Sequence, residues 1–285
     1  MNARALLGWI GAVLARFEGA GGTVLSGYIA YTGMLALFPF LIFASALTGF
    51  LIGPEGLADA LRVLFEPFPE HARTTLEPVI AEVIGERRSG VLTLSGLGAL
   101  WAASNGMEAV RLGLDAAYRP DAKRRYAINR LYLFGMVVLG VGAFVTLAGL
   151  VVLAPLVFAL IEGLFGMEIP FIANLARYGL AFALLWGVLW MLHRVLPSRR
   201  MRGLRLWPGI LASVLVWGTV ATAMSLYLAF APSYTLTYGT LAGVVVTLLF
   251  FYLTGVALLF GAHVNAEING IAPARQPPPG TATAP

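Results

Sequence analysis

The chain has 285 residues, 59% hydrophobic and 12% charged, with a formal net charge of +5 and a mean hydropathy of +0.83. Ordinary soluble domains carry roughly 25% charged residues, so this composition excludes that class and fits several membrane spans of about 20 residues each. With no cysteine, disulfides, thiolate metal sites and a cysteine nucleophile are excluded. The basic residues concentrate in loops, which argues for membrane topology rather than nucleic-acid binding.

Residues 1–19 put Leu6, Ile10, Val13, Leu14 and Phe17 on one helical face, with Arg4, Arg16 and Glu18 elsewhere. This is the pattern of an amphipathic helix lying in the membrane interface. A signal peptide shares the Arg4-then-apolar start, but Arg16 and Glu18 follow too closely, so a retained helix is expected. Span one runs from about Tyr28 to Ile52 and carries Pro39, which removes one backbone hydrogen bond and is expected to kink or break the helix. Residues 53–90 hold seven acids and four arginines. Within them, Leu57, Leu61 and Leu64, then Leu76, Ile80, Val83 and Ile84, repeat at helical spacing. Pro67 and Pro69 separate these two short amphipathic helices, which read as a cap over one end of the bundle.

Span two covers about Val91 to Leu112, and its Gly98, Ala102 and Gly106 form a small-residue stripe that allows close approach of a helix, from the same chain or a second copy. Span three covers about Leu131 to Ile161 and contains Pro155, span four about Leu175 to Leu196, and span five about Trp207 to Phe230. Pro208 sits in the favoured first turn of span five. Span six covers about Gly239 to Val264, and the proline-rich tail over 271–285 reads as disordered. Loop 113–130 contains Arg119, Lys123, Arg124, Arg125 and Arg130, and loop 197–206 contains Arg199, Arg200, Arg202 and Arg205. Loops 162–174 and 231–238 contain no basic residue. Alternate loops are therefore basic, which places both termini and the arginine loops in the cytoplasm. The expected architecture is an all-α integral membrane protein with six transmembrane helices, an interfacial N-terminal helix and a helical extracytoplasmic cap. Two halves of three spans would have opposite orientation, the geometry of inverted-repeat transporters, although 28–161 and 175–264 show no residue-level match.

Three polar sets are candidates for function. Asn105, Glu108 and Arg111, three residues apart, share one face of span two. Glu108 can accept a proton or cation and Arg111 can hold an anionic headgroup. The alternative is a structural pair near the helix end, or an arginine snorkelling to the interface. His263, Asn265 and Glu267 end span six. Alternate helical positions do not share a face, so a metal site from these three is not expected, and His263 with Glu267 should instead contact a neighbour such as span one or the arginine loops. Tyr31 and Pro39 of span one, with Tyr238 and Gly239 before span six, complete the candidate lining. Tyrosines at such positions commonly anchor a helix at the interface, and Gly239 and Gly243 permit close packing.

Several passages carry a likeness: YTGMLALFPFL at 31–41, LWAASNGMEAVRLGLDAAY at 100–118, VLPSRRMRGLRLWPG at 195–209 and SYTLTYGTLAGVVVTLLFFYLTGVALLFGAHVNAE at 233–267. In order and spacing the chain resembles the YihY/BrkB family of bacterial inner-membrane proteins, once labelled ribonuclease BN, over about residues 20 to 270. The resemblance implies six spanning helices with cytoplasmic termini. It also implies an acidic residue where this chain has His263, while Asn265 and Glu267 fit the family ending.

The functional expectation is a transporter or translocator of lipids or other amphiphiles using a polar intramembrane seam, with Arg124, Arg125, Arg199, Arg200 and Arg202 setting topology or meeting headgroups. The alternative is a scaffold recruiting partners through its basic loops. A nuclease needs metal-binding carboxylates or histidines placed in water, and no such cluster is evident, so an enzyme is not expected. No cofactor is implied. The expected partners are membrane lipids, anionic headgroups among them, and the stripe on span two permits a homo-oligomer.

Overall fold

The computed structural model describes residues 3–65, 89–119, 126–165, 170–198, 201, 203–230 and 241–272. All regular structure among them is helical: α1 Ala3–Gly19, α2 Gly22–Phe65, α3 Ser89–Tyr118, α4 Tyr126–Phe165, α5 Pro170–Val195, α6 Trp207–Phe230 and α7 Leu241–Ile268. Their ends follow local chemistry. Pro197 disfavours helical backbone at the residue before it, and α5 stops just short of it. Pro208 occupies the first turn of α6, where a missing N–H costs nothing. Gly270 adopts a left-handed conformation (φ 63°), so its N–H meets the Glu267 carbonyl while Ile271 N–H meets Ala266. This Schellman closure satisfies the last carbonyls of α7.

Five helical segments are long and apolar enough to cross a membrane: Gly22–Phe43, Tyr126–Ala143, Tyr178–Val195, Trp207–Tyr227 and Gly243–Ile268. The remaining long helix, α3, carries Asn105, Glu108, Arg111 and Asp115 in its second half. At 1.5 Å per residue the 44 residues of α2 extend about 66 Å, twice the roughly 30 Å of a hydrocarbon core.

Two expectations are corrected here. Pro39 does not break the helix, because α2 continues through it and through Pro54 to Phe65. One missing backbone bond is a local loss, and the turns on either side keep the register. The first half of the expected cap, with Leu57, Leu61 and Leu64, is accordingly the end of α2 rather than a separate helix. Pro67, Pro69 and the second amphipathic repeat lie outside the described residues, as does the tail beyond residue 272.

The starts of α2, α4 and α6 meet the ends of α3, α5 and α7 in one core. Phe17, Leu114, Tyr118, Leu133, Leu196, Leu206, Ile210, Leu259 and Ala266 are buried together there. The helices therefore alternate in direction, and the basic segments of the sequence adjoin this end. α2 packs on α3 and α7, and α6 packs on α7. α4 and α5 pair with each other and meet the rest chiefly through α3 and α6.

Glycine fixes the tightest crossing. A Cβ on Gly209 of α6 would collide with the Gly261 carbonyl and the Asn265 side chain of α7, and one on Gly261 with Ser213 and the Gly209 carbonyl. The expected stripe on span two is not used in this way. A Cβ on Gly98 or Gly106 would meet nothing within 4 Å, and the same holds for Gly243.

Candidate functional site at the basic end

Helical spacing brings Glu108, Arg111 and Asp115 to one face of α3. Arg111 donates from Nε and Nη2 to the two oxygens of Glu108, at 2.8 and 2.5 Å. Its Nη1 donates to Asp115 Oδ2 at 2.6 Å and to Ser198 Oγ at 2.9 Å. Asn129 of α4 donates to Glu108 at 2.9 Å. Ser198, just past α5, donates to Asp115 from its backbone N at 2.7 Å and its hydroxyl at 2.8 Å. Charged bidentate bonds of this kind are the strong ones. The three ionised groups compensate one another within a single helix, and two neutral side chains tie the α4–α5 pair to them.

This geometry is that of the structural pair, the alternative reading for Glu108 and Arg111. The donors of Arg111 point at protein acceptors and the residue is buried, so it neither snorkels to the interface nor presents a free edge to a headgroup. The cation turned elsewhere is Arg130, which donates from Nη1 to Asn105 Oδ1 at 2.9 Å. Its guanidinium stacks on Trp101, 3.9 Å from the ring centroid. Asn105 thus belongs to a different group from Glu108 and Arg111.

A second network lies deeper. The hydroxyl of Tyr118 is 2.7 Å from His193 Nδ1 and accepts from Asn265 Nδ2 at 3.2 Å. The Asn265 carbonyl oxygen accepts from the Gly209 N–H at 2.7 Å. That last bond fixes the amide orientation, so the Tyr118 oxygen accepts from Asn265, and His193 Nε2 on the far side of the ring is buried with no partner among the described residues. Four helices, α3, α5, α6 and α7, meet through three side chains, all fully buried.

The ending of α7 splits by face, as alternate positions must. His263 packs edge-on against Phe17, 5.7 Å between ring centroids, and Glu267 pairs with Arg16 at 3.1 Å. Both therefore face α1, while Asn265 turns inward. Asn269 grips the preceding loop, accepting from Arg205 N and donating to Arg205 O, each at 2.8 Å. Tyr31 is exposed and Pro39 half-buried, away from these networks. Tyr238, Gly239, Arg124, Arg125, Arg199, Arg200 and Arg202 lie outside the described residues. Among the described residues no three His, Cys, Asp or Glu come together as metal ligands do.

Sequence reasoning missed Asp115, Asn129, Ser198, Tyr118 and His193. Asp115 carried a signal, since it stands four residues after Arg111. The others are brought in from 21 to 147 residues away.

The profile of the family described as virulence factor BrkB matches residues 13–284. The chain belongs to the BrkB family. Its similarity to the putative ribonuclease-like protein YfkH of Bacillus subtilis is 29% identity over 262 residues, covering 87% of this chain and 90% of that one. A UPF0761 membrane protein of Pseudoalteromonas translucida is 26% identical over 87% of this chain and 81% of its own. Another from Cronobacter sakazakii is 24% identical over 95% and 92%. No solved structure matches significantly. This BrkB-family chain is thus a multi-pass helical membrane protein, and the networks above sit at the basic end of its bundle.

Proposed function

We propose that this family member spans the bacterial inner membrane six times, with both termini in the cytoplasm, and translocates a lipid or similar amphiphile. α3 is the sixth span. Its charges, mutually paired on one helix, are tolerable at a membrane boundary because each is compensated. The basic segments that adjoin the networked end orient it toward the cytoplasm.

The observation that carries the reading is the docking of the α4–α5 pair. Asn129 and Ser198 tie it to α3 at the basic end. Beyond Val137 on α4 and before His193 on α5, no described side chain is fully buried, and exposed positions such as Val138, Val145, Leu180 and Phe182 alternate with half-buried ones. A unit whose buried contacts and polar ties are concentrated at one end has the form of a lateral gate. Proteoliposomes with a headgroup-quenchable fluorescent phospholipid test it. Translocation should exceed that of empty vesicles, and Ser198→Ala, which weakens the tie, should change its rate severalfold. Rates equal to empty vesicles for both proteins defeat the reading.

One observation favours a second reading, a scaffold working through its basic loops: Glu108 and Asp115 share the single cation Arg111, so each charged side chain of the group is held by the protein itself. The ribonuclease-like name of the Bacillus relative is not carried over, because a nuclease requires a water-exposed set of ligands or bases that the described part of the chain does not assemble.

A further inference from the structure

α3 and α4 run antiparallel and touch where Trp101 meets Phe134, 6.5 Å between ring centroids, and where Asn105 and Glu108 meet Arg130 and Asn129. From there toward the start of α3 and the middle of α4 their side chains become exposed. On α3, Leu94, Leu97, Trp101 and Asn105 share a face by helical spacing. Leu94 is 75%, Leu97 62% and Trp101 54% exposed. On α4 the matching face runs through Arg130, Phe134, Val137, Val141 and Val145. Val137 is still buried at 7%, whereas Val145 is 61% exposed. The two faces form an apolar wedge with a cationic apex at the basic end.

The apex has unused valence. Among the described residues no carboxylate stands within salt-bridge distance of Arg130. Nη1 is engaged by Asn105, but Nε and Nη2 have no hydrogen-bond partner and are closed to water. These two atoms form the edge with which a guanidinium grips a phosphate through two parallel bonds. Trp101 and Phe134 lie over the face of the group, 3.9 and 5.4 Å from ring centroid to Cζ, and a side-chain shift has to open the Nε–Nη2 edge to admit a phosphate.

We infer that the wedge between α3 and α4 binds an anionic phospholipid of the cytoplasmic leaflet, phosphate on the Nε–Nη2 edge of Arg130 and acyl chains between the two helices. The lengths agree. Seven residues from Trp101 to Leu94 and eleven from Phe134 to Val145 rise about 10 and 16 Å, close to the roughly 15 Å half-thickness of a hydrocarbon core. The direction agrees too, because a lipid of that leaflet carries its headgroup at the basic end and its tails toward the midplane. The site names a substrate class for the translocator reading and rests on it for orientation only. Binding is measured without transport, so a bound lipid with no translocation defeats the earlier reading alone.

The test uses the full chain in nanodiscs with phosphatidylglycerol carrying a photoreactive acyl chain, and peptide mapping of the adducts. Segments 94–101 and 137–145 should be labelled severalfold more than the lipid-facing stretch of α6 around Leu215. A choline-headgroup probe should show no such enrichment, and excess glycerol phosphate should not compete. Arg130→Gln should reduce the enrichment about tenfold, the loss of one charge-assisted contact, and Arg130→Lys should restore part of it. Uniform labelling of all lipid-facing helices in the wild-type protein overturns the inference, whether or not the variants fold. So do equal enrichment with the choline probe and competition by glycerol phosphate. A disulfide-linked dimer through Leu97→Cys, clean because the chain has no other cysteine, would show that a second copy occupies the wedge and would overturn it as well.

Discussion

Replacing Arg111 by methionine keeps an unbranched apolar stem and removes the guanidinium with its charge. Four hydrogen bonds are lost, two to Glu108 and one each to Asp115 and Ser198. Glu108 then retains Asn129, and Asp115 retains Ser198, but neither has a cation. The side chains of Arg111 and Asp115 are only 10% and 11% exposed, so water cannot take over. Removing one partner of a buried pair typically costs about 3–5 kcal/mol. Glu108→Gln is milder, because Arg111 keeps Asp115 and the amide oxygen still accepts, for about 1–2 kcal/mol. Without Arg111, neutralising Glu108 relieves an uncompensated charge. The double variant should therefore be more stable than the sum of the single losses predicts, by about 1–3 kcal/mol. Equilibrium unfolding in mixed micelles with rising dodecyl sulfate fraction, followed by tryptophan fluorescence, measures all four corners of the cycle. Additivity within about 0.5 kcal/mol, or an Arg111→Met cost no greater than that of Glu108→Gln, refutes the triad as a compensated unit.

Gly261→Ala drives a methyl group into Ser213 and the Gly209 backbone and should lose about 1–3 kcal/mol or more in the same unfolding assay. Ser213→Ala, which deletes a buried hydroxyl that has no partner, should be neutral or stabilising. Tyr118→Phe leaves His193 Nδ1 and Asn265 Nδ2 without the group they share, at a cost of about 1–3 kcal/mol. Asn269→Ala frees the Arg205 backbone. Trypsin cleavage in the 199–205 segment, timed on gels, should become roughly tenfold faster as the two bonds are lost. An unchanged rate would mean that the segment is held elsewhere.

Spans were legible because hydrophobic length is a local property, and each of the five apolar helices announces itself in about 20 consecutive residues. α3 was legible as a helix through the spacing of its polar groups, although its second half is too polar for a simple hydropathy window. Pro39 misled because proline propensity describes an isolated helix, and a helix packed on two neighbours absorbs one missing bond. Asn105, Glu108 and Arg111 read as one set because they share a face. The structure divides them, since Arg130 takes Asn105 while Asp115 joins the other two. Nothing near Tyr118 in sequence points to His193 or Asn265, and only packing of α3, α5 and α7 brings them together. The contact of Gly209 with Gly261 is of the same kind, two ordinary glycines made critical by a crossing.

How the charges are divided between helices bears on how the bundle can move. All three ionised members of the main network belong to α3, at positions i, i+3 and i+7, and remain paired whatever the α4–α5 unit does. What crosses between the units is neutral on one side: the amide of Asn129, and the hydroxyl and backbone N–H of Ser198. Hydrogen bonds to charged groups contribute about 1.5–3 kcal/mol each when formed, and once α4–α5 moved away water could reach Glu108 and Asp115 to replace them. Splitting a salt bridge between the units would instead expose two charges at the edge of hydrocarbon, at a far larger cost. Tyr118 with His193 is the stricter tie, because it is fully buried and water cannot substitute there. Rotation of α4–α5 about that buried contact would release Asn129 and Ser198 without splitting an ion pair, and would draw Arg130 away from Asn105 and Trp101. Among the described residues no ion pair joins α4 or α5 to the other helices, so the parts that would separate share only neutral-to-charged or neutral hydrogen bonds.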